Sequence, residues 1–150
     1  MTRREMREHC FKMLFGVGFY PSEDTAKQAQ QYFDSPEEED TMEDGTVEII
    51  HRVEMKEKER AFLTERVEDM AARIPELDGR LNEVAQGWKT RRMGRVELTI
   101  LRQALYEMLY DTEVPEKVAI NEAVDLAKKY GGKDSPAFIN GILAKLVTAE

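Results

Sequence analysis

Residues 94–111 read "GRVELTILRQALYEMLYD", and the spacing of their apolar side chains decides the fold class. Val96, Leu98, Ile100, Leu101, Ala104, Leu105, Met108 and Leu109 recur at helical intervals and cover a surface wider than one stripe. A helix apolar over so much of its circumference must be enclosed by other elements, so this segment is predicted to be the central, most buried helix. The spacing of three and four continues on both sides of it. Runs of β-branched residues with period-two alternation do not occur, so the fold class is all-α.

Downstream, Pro115 presets the entry to a helix from about Glu116 to Tyr130 whose Ile120, Ala123, Val124 and Ala127 face inward. Gly131-Gly132 is expected to supply a left-handed stop. Ser135 is then expected to cap, and Pro136 to begin, a last helix with Phe138, Ile139, Ile142, Leu143 and Leu146 turned to the core. The two form a helical hairpin against the central helix. Upstream, Ile74-Pro75-Glu76 opens a short helix to about Ala85, ahead of Gly87. Thr2 and Glu5 form a capping box for the first helix, with Met6, Cys10, Met13, Leu14 and Val17 inside and Gly18 or Pro21 at its end. A second helix is expected from Ser22 to Phe33. Residues 47–73 read as helical but strongly charged, with "MKEKER" (55–60) an exposed face or a break between two helices. The sum is about seven helices in one domain spanning 1–150.

A length of 150 residues with 41% apolar side chains suits one core. The single cysteine, Cys10, rules out an internal disulfide framework and fits a reducing, cytoplasmic setting. No window approaches the roughly 20 apolar residues of a membrane span, so no membrane partner is expected. The net charge is −8, yet residues 23–46 hold nine acids against Lys27 and carry that charge alone. Basic clusters therefore stand out elsewhere, at Arg3, Arg4, Arg7 and Lys12 and at Lys89, Arg91, Arg92 and Arg95. The acidic run 34–46, "DSPEEEDTMEDGT", reads as a solvated or disordered loop. It is not a calcium loop, because Pro36 occupies a ligand position and Gly45 falls where the bidentate Glu belongs.

No catalytic pattern emerges. His9 and His51 lie far apart with no nucleophile in a recognisable context, the glycine pairs follow no strand, and no cofactor or metal site is indicated. The expectation is a non-enzymatic protein. Arg3, Arg4 and Arg7 occupy the first two turns of a helix, where the macrodipole disfavours cations, so a phosphate-bearing ligand would account for them. Pairing with the chain's own acids would account for them equally.

Three stretches, "MGRVELTILRQALYEML", "VPEKVAINEAVDLAKKYGGKDSPAFINGIL" and "RREMREHCFKMLF", resemble the NusB family of bacterial transcription antitermination factors. The resemblance is specific from about Trp88 to Leu146 and weaker over 1–17. It implies two packed helical bundles, and binding of boxA-type single-stranded RNA together with a NusE-like ribosomal protein. That pair would join the RNA polymerase antitermination complex during ribosomal RNA transcription. By the same resemblance Arg3, Arg4 and Arg7 on the first helix, with Lys133 and Asp134 in the "GGKDSP" turn, would meet RNA, and Lys12 of the same basic cluster is expected to join them. Asp134 would repel phosphates there. Glu97, expected to point outward, and Arg102 would meet the protein partner. A homodimer is also open, and the alternative to this reading is a helical interaction or oligomerisation module without RNA binding.

Overall fold

The structure, a computed structural model, describes residues 1–17, 25–34, 38–41, 47–51, 55–85, 87 and 89–148. Among them stand seven α-helices: α1 (Arg3–Val17), α2 (Thr25–Phe33), α3 (Glu57–Ala72), α4 (Ile74–Val84), α5 (Arg95–Tyr110), α6 (Glu116–Tyr130) and α7 (Ser135–Thr148). The all-α expectation holds. Helices α1, α2 and α3 pack on one another, α4 and α6 each pack on α7, and α5 touches α1, α3, α4, α6 and α7. Every residue of α5 from Leu98 to Glu107 is buried, which is what its broad apolar surface requires. None of the helices among the described residues is long and apolar enough to cross a membrane.

The first helix starts as the sequence indicates, with the Glu5 N–H donating to Thr2 Oγ1 at 3.1 Å. It ends at Val17, and its buried stripe is Cys10, Phe11, Met13, Leu14 and Val17; Met6 is only partly covered. Gly18 to Asp24, including the expected start of the second helix, lie outside the described residues.

The expected helix over 47–73 needs correction. Val47–His51 is a strand, β2, paired antiparallel with β1 (Glu38–Thr41), with Thr41 opposite Val47 and Glu38 opposite His51. Val47, Ile49 and Ile50 are β-branched within five residues, which costs χ1 freedom in a helix and suits a strand. Part of the acidic run, expected to be loop, is thus strand, while 35–37 and 42–46 lie outside the described residues together with most of the positions weighed for calcium. Helix α3 begins only at Glu57, where the Glu59 carboxylate accepts the Lys56 N–H at 3.0 Å.

The α6–α7 hairpin forms, with α6 at its predicted bounds and α7 starting one residue earlier than expected, but by different turn chemistry. Gly131 has φ −93° and ψ −178°, an extended conformation open to any residue, and the positive φ among described glycines is at Gly87. What Gly131 provides is space. A Cβ there would sit 2.6 Å from Ser135 Cβ, 2.7 Å from Ser135 Oγ and 2.8 Å from the Ala127 carbonyl. Ser135 is not the cap either: the Phe138 N–H donates to the Asp134 carbonyl at 3.2 Å, so Asp134 is the residue before the helix.

Gly131→Ala is therefore expected to cost about 1–3 kcal/mol in urea unfolding, since the Ala127 carbonyl belongs to the backbone and the Ser135 Cβ is fixed to it, so neither can swing aside. Gly132→Ala, whose nearest foreign atom would be Ser135 Oγ at 3.9 Å, should stay close to wild type.

Candidate nucleic-acid interface

The arginines of α1 differ sharply in how they are held. Arg3 projects into solvent, 76% exposed, with Glu113 3.6 Å away and equally exposed. Arg4 reaches across to α6, where its guanidinium donates to Glu122 at 3.2 and 3.3 Å and to Asp125 at 3.0 Å, yet it remains 68% exposed. Arg7 is 10% exposed, and its Nε donates to both Glu107 oxygens on α5 at 2.9 and 3.2 Å. Its guanidinium thus faces the interior. Of the three arginines expected to meet RNA, Arg3 and Arg4 present their charge to solvent and Arg7 instead anchors α1 to the central helix.

Glu107 shows the cost of that anchor. Burial pushes its carboxyl above the ordinary glutamate value, outweighing the opposing pull of Arg7 and Arg66. Beside it, Gln103 Nε2 donates to the Arg7 carbonyl at 2.9 Å, so α1 is tied to α5 by side chain and backbone.

Further along the seam between α1 and α6, Glu8 accepts from Lys129 Nζ at 2.6 Å and from the Tyr130 hydroxyl. Lys129 and Lys12 both approach the Tyr130 ring, 5.5 and 6.0 Å from its centroid. The tertiary fold therefore brings Lys12 and Lys129 to one aromatic ring, with Arg4 lining a cleft beside Lys129. Lys129 was not among the residues singled out in the sequence; the signal was there in a lysine pair closing a helix, which the macrodipole alone explains.

Lys133 and Asp134 are exposed in the α6–α7 turn, three and four residues beyond Tyr130. Asp134 lines a cleft of about 330 Å³ together with Arg92, Glu97, Ser135 and Phe138, so the turn expected near RNA adjoins a residue expected to meet the protein partner. Glu97 does not point freely outward. It is half-buried and accepts the Ser135 hydroxyl at 2.5 Å, while that oxygen accepts the Gly132 N–H at 3.0 Å. Arg102 is also held inside, 7% exposed, donating to Asp78 of α4 at 2.8 and 2.7 Å. It fixes α4 on α5 and presents no guanidinium to a partner. Of the two histidines, His9 bonds the Tyr32 hydroxyl at 2.5 Å across α1 and α2.

Residues 4–148 match the family model of the NusB family. Among curated relatives, a transcription antitermination protein NusB of Lachnoclostridium phytofermentans is 42% identical over 98% of this chain and 99% of its own length. One from Agathobacter rectalis is 40% identical over 97% and 98%. Among solved structures, T. maritima NusB superposes with a TM-score of 0.77 at 26% identity, covering 99% of this chain and 92% of that one.

Two outcomes follow from the geometry. Burial alone would raise the Glu8 carboxyl, but Lys129 and Tyr130 hold it below its ordinary value of 4.5. A depressed carboxyl stabilises the fold above the unfolded value, and that contribution disappears as the pH falls through the lower folded value. The stability difference between wild type and Glu8→Gln, followed by chemical denaturation, should accordingly shrink as the pH drops below 4.5. Separately, Glu97→Lys should lose about 1–2 kcal/mol by removing the acceptor of Ser135, whereas Glu97→Gln, which keeps one, should unfold at nearly the wild-type urea concentration.

Proposed function

The chain belongs to the NusB family, and from that membership we propose that it binds boxA-type single-stranded RNA jointly with a NusE-like ribosomal protein. In this reading it acts without chemistry of its own, as an adaptor that joins the RNA polymerase antitermination complex during ribosomal RNA transcription. The observation that supports it most directly is the seam of cations along α1 and α6, where Lys12 and Lys129 approach the Tyr130 ring and Arg4 lines a cleft with Lys129. A positively charged track with an aromatic ring in it is the combination that single strands favour, because phosphates meet the cations and bases stack on the ring.

Arg3 and Arg4 would act as phosphate contacts. Both are more than two-thirds exposed, and exposed ion pairs contribute little, so a phosphate can displace Glu113 or Asp125 at small cost. Arg7 would act indirectly, by holding α1 at its angle to α5. Lys133 would extend the track, with Asp134 setting a local penalty for phosphates. The protein partner would lie on the flank that includes the cleft at Glu97, and Arg102 would serve it by fixing α4 through Asp78.

The internal pairing of Arg4 and Arg7 supports the second reading, a helical interaction module in which these charges serve only the fold. The two separate on salt. Three or four phosphate contacts should give a log–log dependence of RNA affinity on salt with slope about −2 to −3, near 0.7 per contact. Arg3→Ala should reduce that slope by roughly one contact with the thermal unfolding curve unchanged. A slope near zero, with and without a NusE-like protein, would favour the second reading.

A further inference from the structure

Beside the α1–α6 seam, a cavity of about 280 Å³ opens between α1, α3 and the turn from α5 to α6, with Arg3, Phe62, Arg66, Gln103 and Val114 among its walls. We propose that this cavity takes one unstacked nucleobase, received edge-first by Gln103 and stacked on Phe62. The inference rests on the RNA-binding reading for where that base comes from, though not for the chemistry that receives it.

Gln103 is the first reason. Its Nε2 donates to the Arg7 carbonyl, which fixes the orientation of the amide, since the opposite placement would set oxygen against oxygen. Its Oε1 then faces away, buried, and among the described residues it accepts no hydrogen bond. Gln103 lines the cavity, and an N–H or O–H brought in there would relieve the cost of this buried, unpartnered acceptor. Each nucleobase offers an N–H on its pairing edge.

Phe62 is the second. It is 46% exposed, a large aromatic left in solvent, and one face is already covered by the Arg66 guanidinium at 4.9 Å. A planar ring entering the cavity can add to that stack. Size and charge narrow the occupant further. The volume falls just below the roughly 300 Å³ at which drug-sized ligand sites begin, which leaves room for one nucleobase. Arg7 and Arg66 are neutralised by Glu107 and Asp111, with Arg66 Nη2 2.7 Å from Asp111, so the interior does not call for an anion. A phosphate would stay outside, where Arg3 is exposed on the same wall. Water could satisfy Gln103 but would make no use of Phe62.

The test uses the full chain and a boxA-type single-stranded RNA. Phe62→Ala should weaken binding about tenfold, and Phe62→Trp should restore it, because the contribution comes from the stacked face. In a series of RNAs each carrying one abasic nucleotide, one position should erase the difference between wild type and Phe62→Ala. If Phe62→Ala binds intact RNA like wild type, or if every abasic RNA keeps the full difference, the nucleobase site is wrong while RNA binding stands. If the wild-type chain binds no RNA, with or without a NusE-like protein, the functional reading fails and free nucleosides decide the site. Cytidine and adenosine should then shift the Gln103 side-chain amide resonance saturably, and Phe62→Ala should abolish the shift. No shift with either nucleoside would mean that the cavity holds water alone.

Discussion

The fold depends on a helix that is buried on every side and is nonetheless not wholly apolar. Between Leu98 and Glu107, α5 carries Arg102, Gln103 and Glu107 into the interior. Each must find a partner there, since a buried polar group without one is costly. Arg102 takes Asp78 from α4, Glu107 takes Arg7 from α1, and Gln103 takes the Arg7 carbonyl. The apolar neighbours would tolerate sliding; these pairs do not. Buried ion pairs add little net stability over a well-packed apolar alternative, and what they provide is a defined placement of α1 and α4 on the central helix.

That placement sets what the surface can do. With Arg7 drawn inward, the first turns of α1 present Arg3 and Arg4 at one edge, and the α6 acids that hold Arg4 also keep it in a cleft with Lys129. The net charge of −8 says nothing of this arrangement. A strand of RNA responds to the local field over a few ångströms to about a Debye length, not to the sum over the molecule. An acidic protein can therefore carry a cationic track, provided that its surplus acids lie elsewhere in the chain, as those of residues 34–46 do.

The α6–α7 turn joins the two regions assigned to different partners. Gly131 lets the backbone pass against Ser135, Ser135 accepts the Gly132 N–H and donates to Glu97, and Glu97 stands in the first turn of α5. The starts of α5 and α7 are thereby held together at one cleft. A change at Glu97 is felt at the Lys133-Asp134 turn through one hydroxyl, so an effect on RNA and an effect on the protein partner need not come from separate surfaces.

The sequence by itself determined the helical class, the bounds of α4 and α6 to within a residue and the identity of the central helix, because apolar spacing, proline at helix starts and glycine at helix ends act within a few residues of one another. It also determined the family, through motifs that run in order along the chain. The hairpin at 38–51 was misread since charge masked a short β-branched run, and strand pairing is a contact between segments that no single window displays. Only the tertiary structure decided which arginines stay outside. Arg3, Arg4 and Arg7 read alike along the chain, yet the acids that distinguish them, Glu113, Glu122 and Glu107, stand a hundred or more residues away. Sequence proximity supplies the charges; their availability to a ligand is fixed by partners that only folding brings within reach.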